Sequence, residues 1–352
     1  MFTARHRLEL PSLPKLANPK LEAELKERID QKTKPTGSLG RLESLALQLG
    51  LILNSTSPQI VEPQIRVFAA DHGLTDEGVS AFPKAVTQQM VLNFLAGGAA
   101  INVFARQHGI SLKVVDAGVD ADFEAHPDLI ALKVMRGTRN SLTTTAMNAE
   151  ECTQAIACGM GLVREAPGNL LIVGEMGIGN TSAASLLLSK LGGVPIEACV
   201  GPGTGLKDNG IKHKTQVLTQ VLHKHRNLKN PLEILAAMGG LEIAMMVGAL
   251  LQAASQRRIL LIDGFIASSA LLVAEQLQPG VKDFAVFSHH SAEPGHSQLL
   301  ALLEAKPLLD LKMCLGEGTG AAVAFPILKS ALGFLNEMAN FTSAGISNKD
   351  EA

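Results

Sequence analysis

Two glutamates lie in glycine-rich turns, where a carboxylate can take part in chemistry. Glu317 lies in the turn Gly-Glu-Gly-Thr-Gly, after apolar residues and before the helix-forming segment AAVAFPILKSAL. Leu315 and the flanking glycines limit hydration of the carboxylate, which raises its pKa and suits it to act as a general base. The structural alternative is a glutamate favoured only by the dipole of the following helix. Glu175 lies in a similar turn, and a carboxylate in both turns favours catalysis over binding alone.

The turn of Glu175 and a second glycine-rich loop have features of a phosphate site. GEMGIGNTSAA joins an apolar run to a helix that begins near Asn180, so unpaired N–H groups and the positive end of a helix dipole are available. GPGTGLKDNGIKHK, residues 201–214, repeats the arrangement and adds lysines. Neither segment is a P-loop or a GxGxxG fingerprint after a strand. A tight packing turn is therefore the alternative for each.

Histidines near these turns raise the alternative of a metal-dependent hydrolase. The side chains that could take part are His72, His289, His290 and His296, with Asp71 and Glu293. No HExxH motif occurs, and adjacent histidines on a strand point to opposite faces, which suits a single ion poorly. We therefore predict neither a metal site nor any other cofactor. A third interpretation, a non-catalytic nucleotide sensor, predicts binding without turnover and tolerance of Glu317→Gln.

The polar turns follow short β-prone runs that recur along the chain. These runs cover residues 65–70, 112–116, 169–173, 258–263, 283–288 and 311–315, the last being compatible with a loop as well. Helical stretches between them cover residues 85–108, 149–165, 182–191, 211–225, 232–254 and 268–276. This alternation predicts βαβ units and an α/β domain with a mostly parallel sheet flanked by helices. Ligands bind outside the carboxyl ends of such strands, and five of the six ends carry an acid, so we expect a polar crevice there.

Both ends of the chain fall outside this alternation. Residues 1–60 contain a charged helical run and a loop rich in turn formers, and residues 333–352 end in a polar tail. We expect the two ends to meet as a small helical subdomain. The large α/β catalytic domain would then occupy residues 61–332.

The composition argues against several classes of function. Hydrophobic residues make up 46% and charged residues 18%, which allows a large core. A net charge of -2 and the lack of Trp and Tyr argue against nucleic acid as the main partner. The most apolar stretch, residues 235–254, is interrupted by Gly239, Gly240 and Glu242 and is interpreted as a buried helix, so no membrane partner is expected. With no signal-peptide pattern at the N-terminus, the expected location is the cytoplasm.

Eight segments of the chain resemble those of one enzyme family. They are KPTGSLGRLE, ADHGLTDEGVSAFP with VTQQMVLNFLAGGAAINVFAR, GEMGIGNTSAA, GPGTGL, AAMGGLEIAMMVGALL, LIDGFIASSA, SHHSAEPGH and GEGTGAA. Together they are similar to the nicotinate-nucleotide–dimethylbenzimidazole phosphoribosyltransferases from about residue 32 to residue 345. The resemblance implies a homodimeric, Rossmann-like enzyme of cobamide biosynthesis. Such an enzyme converts nicotinate mononucleotide and 5,6-dimethylbenzimidazole to α-ribazole 5′-phosphate and nicotinate.

The resemblance also implies roles for individual residues. The glutamate of the GEGTG turn is the general base in this family, and here it is Glu317. The residues implied near the benzimidazole are Ser80, Gln88 and Leu315, with Phe82 as a further candidate. Those implied near the nucleotide are Glu175, Gly177, Gly203, Thr204, Lys214, Asp263, Gly264 and Ser291. Glycine N–H groups and Lys214 would hold the 5′-phosphate, Asp263 would meet the ribose hydroxyls, and Glu175 would stabilise positive charge on the sugar or assist as a second base.

Overall fold

A single parallel sheet lies at the centre of the computed structural model, which describes residues 8–203 and 205–347. Its strands are β1 (Gln64–Ala70), β2 (Ser111–Gly118), β3 (Leu129–Ala131), β4 (Leu170–Met176), β5 (Ile259–Ile262) and β6 (Ala285–Phe287). Their order is β3-β2-β1-β4-β5-β6, and every neighbouring pair is parallel. The order reverses between β1 and β4, as in the doubly wound folds that bind nucleotides at this switch point. The predicted Rossmann-like α/β class is confirmed.

Helices surround the sheet. In chain order they are α1 (Pro19–Asp30), α2 (Arg41–Ile52), α3 (Ala85–Leu95), α4 (Ala100–His108), α5 (Ala149–Glu165), α6 (Asn180–Gly192), α7 (Ile196–Cys199), α8 (Asp208–Lys224), α9 (Pro231–Met238), α10 (Leu241–Ser255), α11 (Phe265–Leu277), α12 (Pro294–Leu302), α13 (Thr319–Glu337) and α14 (Phe341–Ala344). Two short 3₁₀ helices cover Gly73–Glu77 and Val281–Phe284.

Several predicted boundaries are wrong, mostly because glycines interrupt apolar helical patterns. The stretch 85–108 is two helices, and it breaks where Gly97 takes a φ of 77°. The stretch 232–254 is also two helices, because Gly239 and Gly240 both have extended backbone. Residues 311–315 form a loop, as the alternative interpretation allowed. The edge strand β3 was not predicted, since three residues are too short to show an alternating pattern.

The core explains why these elements pack as they do. Strands β1, β5 and β6 are buried along their whole length, as expected for Val-, Ile- and Leu-rich parallel strands covered on both faces. Helix α10 packs across β1, β2, β4 and β5, and its first fourteen residues are all buried. Helix α13 is long and apolar enough to cross a membrane by length and composition alone, yet 56% of its apolar window is buried within the protein. Core helices of soluble proteins commonly pass this test.

The two ends of the chain are in contact. Helix α2 packs against both α1 and α13. The main-chain N–H of Thr33 donates to the carbonyl of Ala339 at 3.1 Å, and the Lys32 ammonium donates to the carbonyl of Met338 at 2.6 Å. Apolar residues of α1 and α2 belong to the same continuous core as the sheet. The division at residues 60 and 332 stays a prediction, and α13 runs through the second of these positions without interruption.

Candidate active site

A cavity of about 890 Å³ lies at the carboxyl ends of β4, β5 and β6. Its polar lining includes four acids, Glu175, Asp263, Glu293 and Glu317, each at least nine-tenths buried. Apolar side chains from the α3 and α4 region form another part of the wall, and they are Phe82, Val86, Met90 and Phe104. The cavity therefore combines an apolar surface with a few convergent carboxyl groups, which is typical of a small-molecule site.

Glu317 occupies a strained turn at the cavity. Its φ is 64°, and the neighbouring Gly316 and Gly318 also have positive φ, at 84° and 90°. A non-glycine residue in this left-handed region costs on the order of 1–3 kcal/mol, and such strain is concentrated at functional sites. The turn also lies very close to β4, since a Cβ on Gly174 would be 2.2 Å from the Glu317 carbonyl oxygen. The backbone is thus forced into a shape that directs one carboxylate to this position.

The surroundings of Glu317 set its protonation. Its carboxylate accepts a 3.4 Å hydrogen bond from the main-chain N–H of Ile101, in the first turn of α4. Burial raises the pKa of Glu317 to about 7, with a further upward contribution from Asp263 and a downward one from the Ile101 N–H. A carboxyl group with this pKa is a stronger base than an ordinary glutamate and is still partly ionised near neutral pH.

Glu175 faces the same cavity from the end of β4. Its carboxylate accepts a short hydrogen bond from the side-chain amide of Asn180, the first residue of α6. A Cβ on Gly316 would lie 2.2 Å from Glu175 Oε1, so only glycine fits between this carboxyl group and the Glu317 turn. Burial, followed by the charge of Asp263, raises the pKa of Glu175 to about 8. Glu175 is therefore mostly protonated at neutral pH in the free protein.

Asp263, after β5, organises the Glu317 turn. Its two carboxylate oxygens accept hydrogen bonds from the main-chain N–H groups of Gly318, at 3.2 Å, and Ala321, at 3.0 Å. It thereby caps the N-terminus of α13 from a distant part of the sequence. Burial raises the pKa of Asp263 to about 6, although these N–H groups oppose the rise. Asp263 Oδ1 also lies 3.6 Å from His289 Nε2, and the predicted contact of Asp263 with ribose stays a prediction.

A buried lysine lies behind the N-terminus of α6. Lys214 is 1% exposed and its ammonium donates to the hydroxyl of Thr181 at 2.9 Å. A Cβ on Gly203 would lie 3.4 Å from the same ammonium, which places the second glycine-rich loop against it. Burial lowers the pKa of Lys214 to about 8, whereas the nearby Glu293 carboxylate opposes that change. The lysine, the α6 N-terminus and the Gly203 backbone together offer positive charge and N–H donors to an anion.

Comparison with known proteins identifies the family. The family model described as phosphoribosyltransferase matches residues 15–346. A nicotinate-nucleotide–dimethylbenzimidazole phosphoribosyltransferase of Variovorax paradoxus is 54% identical, and the match covers 97% of this chain and 98% of that protein. One from Cupriavidus necator is 55% identical, over 93% of this chain and 95% of the relative. The crystal structure of the enzyme of that name from Thermus thermophilus superposes with a TM-score of 0.90 at 41% identity, covering 94% of this chain and 100% of that one.

The chain belongs to the nicotinate-nucleotide–dimethylbenzimidazole phosphoribosyltransferase family. This confirms the family inferred from the eight sequence segments. The segments with Glu175, Gly203, Asp263, Ser291 and Glu317 are far apart in the chain, and the structure brings all five residues to one cavity.

Of the four residues that the family resemblance assigns to the base pocket, two line the cavity and two do not. Phe82 and Leu315 line the cavity and are half-exposed, at 50% and 58%. Ser80 and Gln88 are not among the residues that line it, and the Ser80 hydroxyl accepts a 3.3 Å hydrogen bond from the Phe82 N–H. The proposed contacts of these four side chains with a benzimidazole stay predictions.

Most of the remaining residues assigned to the nucleotide lie at or next to the cavity. Gly177 follows β4, and Gly264 is the N-cap of α11. Ser291 Oγ accepts a 3.3 Å hydrogen bond from the Glu293 N–H. Lys214 lies one layer behind the wall, joined to it through Thr181. Thr204 lies outside the described residues.

The histidines of the alternative metal site make other contacts in this phosphoribosyltransferase fold. His72 bonds to Glu242 at 2.6 Å, His296 bonds to Ser268 at 3.1 Å, and His290 bonds to Ser297 at 2.7 Å. Within residues 8–203 and 205–347, no group of three His, Cys, Asp or Glu side chains has an arrangement suited to a metal ion.

Three residues of the site were not singled out for a role in it by sequence analysis. Asn180 bonds to Glu175, Thr181 bonds to Lys214, and Glu293 is buried against the Gly201–Gly203 segment. Asn180 and Thr181 directly follow the glycine turn, so their position at a helix start was a usable signal. Glu293 was considered only as a metal ligand, because its distance in sequence from Lys214 gives no indication of their proximity.

Proposed function

We propose that this chain transfers the phosphoribosyl group of nicotinate mononucleotide to 5,6-dimethylbenzimidazole. The products are α-ribazole 5′-phosphate, a precursor of the lower ligand of cobalamin, and nicotinate. The observation that carries the proposal is the strained, buried Glu317 turn facing an apolar cavity that also contains Glu175. A flat aromatic base needs apolar walls, and the loss of its proton needs a carboxylate of raised pKa.

The reaction exchanges one carbon–nitrogen bond for another. The bond from C1′ to the nicotinate nitrogen breaks, and its electron pair neutralises the positive charge of that ring. C1′ becomes oxocarbenium-like, and one benzimidazole nitrogen attacks from the opposite face, which gives the α-linked product. The proton on the other benzimidazole nitrogen then passes to Glu317. Holding the two rings on opposite faces of the ribose supplies a large part of the rate, because positioned reactants can gain roughly 7–11 kcal/mol over free ones.

We assign Glu175 to the sugar side of the cavity. The carboxyl group is mostly neutral in the free protein because burial and Asp263 raise its pKa to about 8. A nucleotide with a cationic ring favours the ionised form of a nearby carboxyl group, since opposite charges attract. Glu175 would then stabilise positive charge as it develops on the ribose, or accept a proton as a second base.

We assign the phosphate to the region of Lys214, Gly203 and the first turn of α6. Gly177, Gly264 and Ser291 would surround the nucleotide, together with Thr204, and Asp263 would face the ribose. Ser80, Phe82, Gln88 and Leu315 would surround the benzimidazole. The geometry that supports this division is the separation of the buried lysine from the apolar α3 and α4 wall. No metal or other cofactor is required, because the cationic pyridinium ring is neutralised as it leaves and needs no further activation.

We also infer that the protein is a cytoplasmic homodimer. Two apolar side chains on α3 and α4, Leu92 and Val103, are 51% and 47% exposed, which is compatible with cover by a second copy. Light scattering coupled to size exclusion would give twice the chain mass of 37.1 kDa. A monomeric mass at micromolar concentration would contradict the dimer and leave the reaction untouched.

The reaction is tested by incubating the purified protein with nicotinate mononucleotide and 5,6-dimethylbenzimidazole and separating the products by chromatography with mass detection. We expect nicotinate and α-ribazole phosphate in equal amounts, with no effect of EDTA. In Glu317→Gln we expect the rate to fall at least about 100-fold, the usual contribution of a general base. Full activity in that variant would remove Glu317 from its role and make Glu175 the next candidate. Ligand binding without turnover in the wild type would favour the sensor interpretation.

A further inference from the structure

A buried histidine–glutamate pair lies beneath the catalytic cavity. His72 follows β1, and Glu242 lies in the first turn of α10. Their side chains are 3% and 0% exposed, and His72 Nε2 lies 2.6 Å from Glu242 Oε1. The two residues are 170 positions apart in sequence, so the pair exists only in the folded protein.

The pair is strongly isolated from water. Burial alone would lower the pKa of His72, but the charge and hydrogen bond of Glu242, followed by the charge of Asp71, more than offset this and raise it; Lys84 opposes the rise. Glu242 Oε2 has no hydrogen-bond partner among the described residues. Removing a carboxyl group and an imidazole from water is unfavourable, so packing alone does not account for this pair at this position.

The pair is held between two glycines, one of which lines the cavity. A Cβ on Gly240 would lie 2.4 Å from His72 Cε1 and 2.5 Å from Glu242 Oε2. A Cβ on Gly177 would lie 3.3 Å from His72 Nε2 and 3.4 Å from Glu242 Oε1. The hydrogen-bonded atoms of the pair therefore lie directly against the Gly177 backbone. A change in the length of the pair would therefore be expected to alter the packing of the loop between β4 and α6.

That loop carries the groups assigned to the nucleotide. The Gly177 carbonyl accepts a 3.0 Å hydrogen bond from the N–H of Asn180, whose side chain holds Glu175. Thr181, the partner of Lys214, is the next residue. The charge of Glu242 also contributes to the raised pKa of Glu175. The position of Asn180 and the protonation of Glu175 thus both depend on the His72–Glu242 pair beneath Gly177.

We propose that His72 and Glu242 are positioning residues for the transfer reaction, whose hydrogen-bonded pair fixes the Gly177 backbone and with it Glu175 and Asn180. Neither side chain touches the substrates. The pair serves the nucleotide half of the site through Gly177. The same loop meets α3 one residue later, where the Ile178 N–H donates to the Thr87 hydroxyl at 3.1 Å, so we expect a smaller effect on the apolar wall. The proposal rests on the phosphoribosyl transfer described above.

The test uses His72→Gln, Glu242→Gln and the double variant in full-length protein. We expect each single change to lower kcat/KM for nicotinate mononucleotide at least tenfold, with KM for dimethylbenzimidazole within twofold of the wild type. We expect the double variant to lose about as much as either single one, because each single change leaves a buried partner unpaired. Losses that multiply in the double variant would overturn the proposal, as would equal effects on both substrates.

A matched control separates positioning from general destabilisation. Arg258 is also buried and charged, but it precedes β5 at the opposite end of the sheet, where it donates to the carbonyls of Val163, Ala166 and Pro167. We expect Arg258→Gln to lower the melting temperature and to leave kcat/KM within twofold. A tenfold kinetic loss in this control would show that destabilisation alone suffices and would overturn the proposal.

Two further measurements keep the proposal testable if a variant or the reaction fails. Where a Gln variant is insoluble, Glu242→Asp replaces it, since it keeps the charge but shortens the side chain by one methylene, and the same difference between substrates is expected. If the wild type forms no product, the transfer reaction is wrong, and calorimetric titration with nicotinate mononucleotide tests the pair by itself. Equal affinities in the wild type and Glu242→Gln would then overturn it.

Discussion

The Asp263 carboxylate lies 3.2 Å from the main-chain nitrogen of Gly318, so the end of β5 holds the turn that presents Glu317. This contact joins two segments that are 55 residues apart. The same carboxylate also accepts from Ala321, so it satisfies two N–H groups at the start of α13. A helix cap and the placement of the proposed base therefore depend on one side chain.

Removing this cap should affect both stability and turnover. We expect Asp263→Ala to lower the free energy of unfolding by roughly 1–3 kcal/mol, because two N–H groups lose a buried acceptor. We expect kcat to fall at least about tenfold, since the Glu317 turn loses the contact that orients it. Urea unfolding and steady-state kinetics measure the two effects.

As a control, Asn230→Ala removes the cap of α9, where Asn230 accepts from Leu232 and Glu233. It should cost about 1 kcal/mol of stability and leave kcat unchanged. Equal kinetic losses in both variants would contradict an orienting role for Asp263.

The pH dependence of kcat/KM should rise through neutral pH. Glu317 must be ionised to accept a proton, and burial raises its pKa to about 7. Activity is therefore expected to increase as the pH rises from 5.5 to 7.5. In Glu317→Gln the residual activity should show no such rise. A wild-type profile that is flat over this range would argue against Glu317 as the titrating base.

Activity should fall again in mildly alkaline solution. Burial lowers the pKa of Lys214 to about 8, so the free protein loses this positive charge above that pH. KM for nicotinate mononucleotide should then rise while KM for the uncharged base stays constant. The carboxyl group of Glu175 titrates in the same range, with a pKa of about 8. If Lys214 is responsible, the alkaline fall should persist in Glu175→Gln and disappear in Lys214→Met; a fall that persists in Lys214→Met would contradict this assignment.

Lys214→Met should weaken phosphate binding and also lower stability. We expect KM for nicotinate mononucleotide to rise roughly 10- to 100-fold, since a charge-assisted contact contributes about 1.5–3 kcal/mol. The melting temperature should fall, because the change removes the hydrogen bond to Thr181 and leaves the buried Glu293 carboxylate without the nearby charge of Lys214. Lys212→Met, an exposed position on the same helix, is the matched control and should leave KM unchanged. Unchanged KM in Lys214→Met would contradict a role in phosphate binding.

Glu175 should be unfavourable for stability at high pH. Its pKa is about 8 in the folded protein against 4.5 as the ordinary value, so the folded state holds the proton more tightly. The resulting stabilisation is complete below about pH 4.5 and is lost as the pH rises through about 8. Glu175→Gln does not titrate and should exceed the wild type by roughly 2–4 kcal/mol at pH 9, with a much smaller difference at pH 5. Urea unfolding at both pH values checks this prediction.

Glu165→Gln, at the exposed end of α5, is the control and should show no such dependence on pH. A pH-independent difference in stability between Glu175→Gln and the wild type would contradict the raised pKa.

The amino-acid sequence by itself determined the class of fold, the family and the turns that carry the chemistry. Short apolar runs followed by turn residues predicted five of the strands, and four of the five end in glycine and acid. Local hydrophobic patterning and turn residues are enough to mark a buried parallel strand. The turn around Glu317 was found in the same way. The breaks at Gly97 and Gly239 were missed, since apolar residues continue on both sides and only the packing shows where each helix ends.

Only the tertiary structure decided how these segments combine. The cap that Asp263 forms on α13, the Lys214–Thr181 bond and the His72–Glu242 pair all join residues far apart in sequence, and no local pattern encodes such distances. The raised pKa values of Glu175 and Glu317 could not be predicted from the sequence either, because burial is the first cause of both. Burial is a property of the assembled chain: a carboxyl group loses its water only when the sheet, the turn and the α3 and α4 wall close around it.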